Sequence, residues 1–92
     1  MNPPASTRFL NASGVVKAAP GQLVGVILAA GSAAATVTLY DDPATTSGDI
    51  LAVLKCAANT SVVWSPSSPQ LASQGLYAFL VGTGAYAMII YY

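Results

Sequence analysis

Asp41, Asp42 and Asp49 are the three side-chain carboxylates of this 92-residue chain, and they share one short polar stretch. Oxygen ligands so placed could surround a hard cation such as calcium. Their spacing fits no calcium-loop signature, however, and Pro43 and Gly48 lie among them, so the three are read as turn formers and no metal is expected. Covalent chemistry has still less to work with. The absence of histidine removes any Ser/His/Asp arrangement, and no serine stands at Ser-x-x-Lys spacing. Cys56 is the single cysteine, so neither an internal disulfide nor a Cys/His zinc site is available, and its thiol is read as an inert core group. Gly82-Thr83-Gly84-Ala85-Tyr86-Ala87 has the Gly-x-Gly-x-x-Ala form of a dinucleotide fingerprint. That fingerprint opens a helix inside a βαβ unit of about 30 residues, and only five residues follow Ala87, so the segment is read as a turn. The aromatics Trp64, Tyr40, Tyr77, Tyr86, Tyr91 and Tyr92 could make a sugar-stacking platform, although core and interface packing is the commoner use of such side chains. These residues point to no enzyme and no cofactor.

Composition narrows the partners. The chain is 54% hydrophobic and 7% charged, with three basic against three acidic residues, so it has no basic face to follow a phosphate backbone and nucleic acid is not expected. A net charge of zero on a small domain promotes association. Part of the apolar surplus is therefore expected to be buried against other subunits. No charge occurs between Lys17 and Asp41 or after Lys55, and both gaps exceed the roughly 20 residues of a spanning helix. Pro20, Gly21, Gly25 and Gly31 interrupt the first gap, while Pro66, Pro69, Gly82, Gly84 and several serines interrupt the second, so no membrane span is expected. Asn11-Ala12-Ser13 and Asn59-Thr60-Ser61 match the glycosylation triplet and are read as chance matches at turns. Met1 to Arg8 has neither the charged start nor the long apolar run of a secretory signal, and assembly in the cytoplasm is expected.

The elements that must carry these residues are strands. Thr36, Thr38 and Tyr40 alternate with Val37 and Leu39 at the period of a half-buried strand, and Ile50 to Ala57 returns antiparallel to it across the aspartate turn. In that return strand Ile50, Ala52, Leu54 and Cys56 are assigned to the core, and Lys55 to the outer face. Gln22 to Ala30 is the most apolar run, expected to be central and covered on both sides. Ser6 to Leu10, Gly14 to Ala19, Thr60 to Ser65 and Gln70 to Ser73 supply shorter strands. Leu76 to Val81 and Ala85 to Tyr92 read as a closing hairpin about Gly82-Thr83-Gly84, with Leu76, Ala78 and Leu80 opposing Tyr77, Phe79 and Val81 across the pleat. The expectation is one all-β domain over residues 6–92, a β-sandwich of about eight strands and jelly-roll-like, behind a short arm at residues 1–5.

Leu23-Val24-Gly25-Val26, Thr36-Val37-Thr38-Leu39-Tyr40-Asp41, Thr46-Ser47-Gly48, Val62-Val63-Trp64 and the run from Gly75 to Tyr91 together resemble the small β-sandwich virion proteins of tailed bacteriophages, in particular head decoration or cement proteins. The resemblance covers residues from about 14 to 92 and lies in pattern and turn placement. It implies a non-enzymatic structural protein on the outer capsid surface of the virion, made in the host cytoplasm. Its partners would be the major capsid protein and further copies of itself in a homo-oligomer, with a trimer favoured. Similar sandwiches occur in tails and fibres, where the alternative is a receptor-binding module that recognises a host-surface glycan. Contacts are expected in the arm and the closing hairpin, which makes Asn2, Pro3, Pro4, Arg8, Tyr77, Phe79 and Tyr86 the candidate capsid or subunit interface.

Overall fold

β-Branched and aromatic residues at a two-residue period, broken by Gly, Pro, Asn and Asp clusters, leave the chain no alternative to short strands. The computed structural model describes residues 5–92 and contains nine strands: β1 (Ser6–Leu10), β2 (Gly14–Lys17), β3 (Gly21–Ala29), β4 (Ala35–Asp41), β5 (Asp49–Cys56), β6 (Ser61–Trp64), β7 (Gln70–Ala72), β8 (Leu76–Val81) and β9 (Tyr86–Tyr91). Asn2, Pro3 and Pro4 lie outside the described residues. All pairings are antiparallel, and they make two sheets, β1-β9-β3-β6 with β7 also on β3, and β2-β8-β4-β5.

The pairings nest. β1 runs against β9, β2 against β8, β3 against β6 and β7, and β4 against β5, so the chain forms one long antiparallel ribbon closed by the β4-β5 turn. Folding that ribbon over itself adds the β3-β9 and β4-β8 pairings, which complete the two layers. β6 and β7 occupy successive stretches of the same β3 edge, Val26 to Ala29 and Gly21 to Leu23. Between them Pro66 and Pro69 interrupt the strand, since proline cannot donate to a ladder. The result is a slab with Cα extents of 39 × 29 × 18 Å, two sheets thick.

Each sheet turns one side chain in two toward the other. From the first sheet Leu10, Ala87, Leu28 and Val62 form one inward row and Ile89, Val26 and Trp64 the next. The second sheet answers with Leu80, Val37 and Leu54, and with Ala78, Leu39 and Ala52. Leu23, Leu28, Leu39, Leu76, Ile89, Val26 and Val37 are fully buried. Each such side chain contributes about 1.5–3 kcal/mol of transfer free energy, and in a protein with no disulfide this packing holds the fold.

The structure corrects four expectations. β8 and β9 are not a hairpin: they lie in different sheets, and Gly82-Thr83-Gly84 carries the chain from one layer to the other. The crossing needs backbone that only glycine adopts easily, with φ of 139° at Gly82 and 72° at Gly84. Ile50 is not in the core. A bulge between the Leu39 and Tyr40 pairings leaves Leu51 as the extra residue of β5, which turns Ile50 outward at 59% exposure and sets Leu51 against the core. Finally, the described residues cover β3 on one side only. It is central, as expected, but Val24 and Ile27 are half-buried on the outside of the sandwich, and Cys56 too is half-buried, packed against the margin of the core.

Candidate functional site

Asp41 is the one buried ionisable side chain among the described residues, and it is spent on structure. Its Oδ1 accepts from the N–H of Gln74 at 2.8 Å and of Gly75 at 3.3 Å, while Oδ2 accepts from the Ser73 hydroxyl at 2.9 Å and the Ser73 N–H at 3.2 Å. The Gln74 N–H holds the carboxyl below its ordinary range; burial pushes the other way, and the Ser73 hydroxyl with the N–H groups of Gly75 and Ser73 outweighs it. The end of β4 is thereby fastened to the turn between β7 and β8. Gly75 fits beneath this fastening because a Cβ there would lie 2.7 Å from the Lys17 carbonyl oxygen and from Pro43 Cα. Asp42 is the turn former that the sequence suggests, accepting from the N–H of Ala44 at 2.8 Å and of Thr45 at 2.7 Å, which lowers its pKa. Asp41 departs from that expectation, being a long-range tie rather than a solvated turn residue. Among the described residues no three His, Cys, Asp or Glu side chains gather where they could hold a metal.

What the fold offers outward is two broad faces. On the second sheet Val15, Tyr77, Tyr40 and Ile50 lie in register across all four strands. The next outward row is Phe79, Thr38 and Val53, followed by Val81, Thr36 and Lys55. Phe79, Val53 and Val81 are exposed, and the two tyrosines and two threonines half-buried. The face is thus apolar and aromatic, carries hydroxyls, and has Lys55 at one corner. On the first sheet Phe9, Met88, Ile27 and Val63 line up across β1, β9, β3 and β6. Tyr86 sits beside them with its ring centroid 5.5 Å from that of Phe9.

The candidate contact residues therefore divide. Tyr77 and Phe79 share the second-sheet face, as the alternation along their strand implies, with Leu76 and Ala78 buried behind them. Tyr86 belongs to the opposite side of the slab. Arg8 is exposed at the edge strand β1, level with Ile89 on the core-facing side, and joins neither group. The six aromatics do not form one platform either: Tyr40 and Tyr77 face out from one sheet, Tyr86 from the other, and Trp64 and Tyr91 pack against the core. Phe9 and Val63 are the contributors that sequence reasoning missed. The signal was available, since both strands carry apolar residues on both faces, the feature that marked Leu76 to Val81. No family model, curated protein or solved structure matches the chain.

Proposed function

We propose that this protein is a non-enzymatic structural component of a tailed-phage virion, a capsid cement or decoration protein that binds the outer surface of the assembled head shell through the β2-β8-β4-β5 face. One observation carries the reading: an entire sheet face, with Tyr77 and Tyr40 side by side and Phe79, Val53 and Val81 exposed, is left uncovered by the described residues. Aromatic residues with few charges are the composition of interface centres, and phenolic and threonine hydroxyls let such a face satisfy a protein backbone at its rim. The nested ribbon supports reading the sandwich as a jelly roll, an architecture shared by viral shell proteins and lectins. Between those two uses the aliphatic breadth of the face favours the shell, because Ile50, Val53 and Val81 extend the apolar surface beyond the rings of Tyr40, Tyr77 and Phe79. The partner is then the major capsid protein, the location the outer capsid surface, and the working form a homo-oligomer.

The test is co-sedimentation with expanded head shells of the phage that encodes the chain, prepared without it. Changing Tyr77 and Phe79 together to serine removes contact worth about 2–4 kcal/mol per subunit at roughly 25 cal/mol per Å², a loss of about 30-fold to 1000-fold in affinity. Melting should be little changed, because neither side chain belongs to the fully buried set. Wild-type occupancy by the double variant would remove this face from the account. Binding of the wild type to host-surface glycan in place of shells would move the protein to the tail.

A further inference from the structure

We propose that the outer face of the β1-β9-β3-β6 sheet binds a second copy of this chain, back to back, as a two-fold dimer. The inference rests on the reading above only in leaving the opposite face to the shell.

This face differs chemically from the other. Its outward positions are Thr7 and Phe9 on β1, Tyr86, Met88 and Ile90 on β9, Gly25, Ile27 and Ala29 on β3, and Ser61 and Val63 on β6. None is Asp, Glu, Lys or Arg. Phe9 is 55%, Val63 66% and, on the neighbouring β7, Leu71 67% exposed. Nucleic acid finds no cation at these positions, and a lipid headgroup layer only Arg8, exposed at the edge strand on the core-facing side. A second copy suits it better. Two-fold packing sets a patch against itself, and at its outward strand positions this one has no ion to bury.

Area points the same way. The exposed fractions of Phe9, Val63, Leu71 and Tyr86 amount to roughly 400 Å² of apolar surface, the size of the largest patch that a monomer shows. With the half-buried Met88, Ile27 and Ile90 and the small polar residues at the rim, the face reaches roughly 700–800 Å², which is what a standard interface takes from each partner. Shape permits close approach too. An axis parallel to the strands, between β9 and β3, lays Phe9 of one copy over Val63 of the other and Met88 over Ile27, while Gly25 and Ala29 leave hollows on either side of Ile27. Sheets pack in this way at about 10 Å with their strands nearly aligned.

The experiment is sedimentation equilibrium of the full chain at about 50 µM, with melting followed as a function of concentration. Wild type is expected to be a dimer whose melting temperature rises with concentration. Phe9→Lys with Val63→Lys should raise the dissociation constant about 100-fold or more, because each copy then buries two unpaired cations. The exposure of both positions keeps the monomer folded, which circular dichroism checks. Phe79→Lys on the opposite sheet should leave the dimer intact. A wild type that is monomeric at this concentration, a dimer that survives the double lysine variant, or one that Phe79→Lys dissociates each overturns the proposal. So does a monomer that floats with phosphatidylcholine vesicles, since that outcome gives the face to lipid. Shell decoration is scored separately: a dimer that ignores shells sinks the cement reading alone, and a monomer that decorates them sinks this one alone.

Discussion

Asparagine in place of Asp41 keeps the side chain's shape and changes its charge and half of its hydrogen-bonding sense. In the wild type four donors converge on the carboxylate: the N–H groups of Ser73, Gln74 and Gly75 and the Ser73 hydroxyl. If the asparagine oxygen keeps Gln74 and Gly75, its NH₂ group faces Ser73. The serine hydroxyl can rotate to accept, but the Ser73 N–H then meets another donor and is left unpaired. An unsatisfied N–H costs about 1–3 kcal/mol, and the remaining bonds lose the strength that the charge gave them, so Asp41→Asn is expected to cost about 2–4 kcal/mol. For a domain of this size that lowers the melting temperature by roughly 10–25 °C. Calorimetry at one fixed protein concentration measures it, and a urea titration should show a shifted midpoint with unchanged slope. The sign with pH follows from linkage. The carboxyl pKa is lower in the folded protein than in the unfolded chain, so its stabilisation is fully present above the unfolded value of about 3.9 and is lost as pH falls through the folded one. The gap between wild type and variant should accordingly be constant above about pH 5 and close in stronger acid. A variant that melts within about 2 °C of wild type at neutral pH, or a gap that does not narrow on acidification, would refute the assignment of Asp41 as the fastening.

Other outcomes follow from the same geometry. Gly84→Ala should cost about 1 kcal/mol and Gly84→Asn less, because the φ of 72° is the whole penalty where the nearest atom to an added Cβ, Gly31 Cα, is 3.6 Å away; denaturant unfolding checks it. Ile50→Thr should be neutral within about 0.5 kcal/mol while Leu51→Thr loses about 1–2 kcal/mol, the reverse of what unbroken alternation along β5 requires. Chelation by EDTA should leave the melting temperature unchanged, since backbone donors already occupy the carboxylates of Asp41 and Asp42; a clear drop would reveal a bound cation.

Alternation along a strand tells inside from outside, and this much the residues disclosed. Val37 and Leu39 inward with Thr36, Thr38 and Tyr40 outward, the β4-β5 hairpin, and the opposition of Leu76 and Ala78 to Tyr77 and Phe79 all stand as the two-residue period requires. The period does not say which strand lies alongside. Gly82-Thr83-Gly84 has the length of a hairpin loop, yet it crosses between layers because β9 pairs with β1, some eighty residues earlier, and with β3. Local pattern cannot encode that choice. The bulge at Leu51 is likewise invisible, since Ile50 and Leu51 are equally apolar and either could face the core. Asp41 was misread for the same reason: its acceptor role is fixed by donors 32–34 residues away, not by the turn in which it stands. Of the candidate surface, Tyr77 and Phe79 were legible as an outward pair. That Tyr86 joins Phe9 and Val63 on the other side of the slab required the strand order.

On the proposed function the Tyr40, Tyr77 and Phe79 face sits on a phage head shell. Electron cryo-microscopy of the particle whose genome encodes the chain tests it most directly. Sandwich-shaped density is expected on the outside of the capsid, with the β2-β8-β4-β5 sheet turned toward the major capsid protein and Tyr77 and Phe79 buried in that contact. Density for the chain in the tail, or on the shell with this face open to solvent, would contradict it.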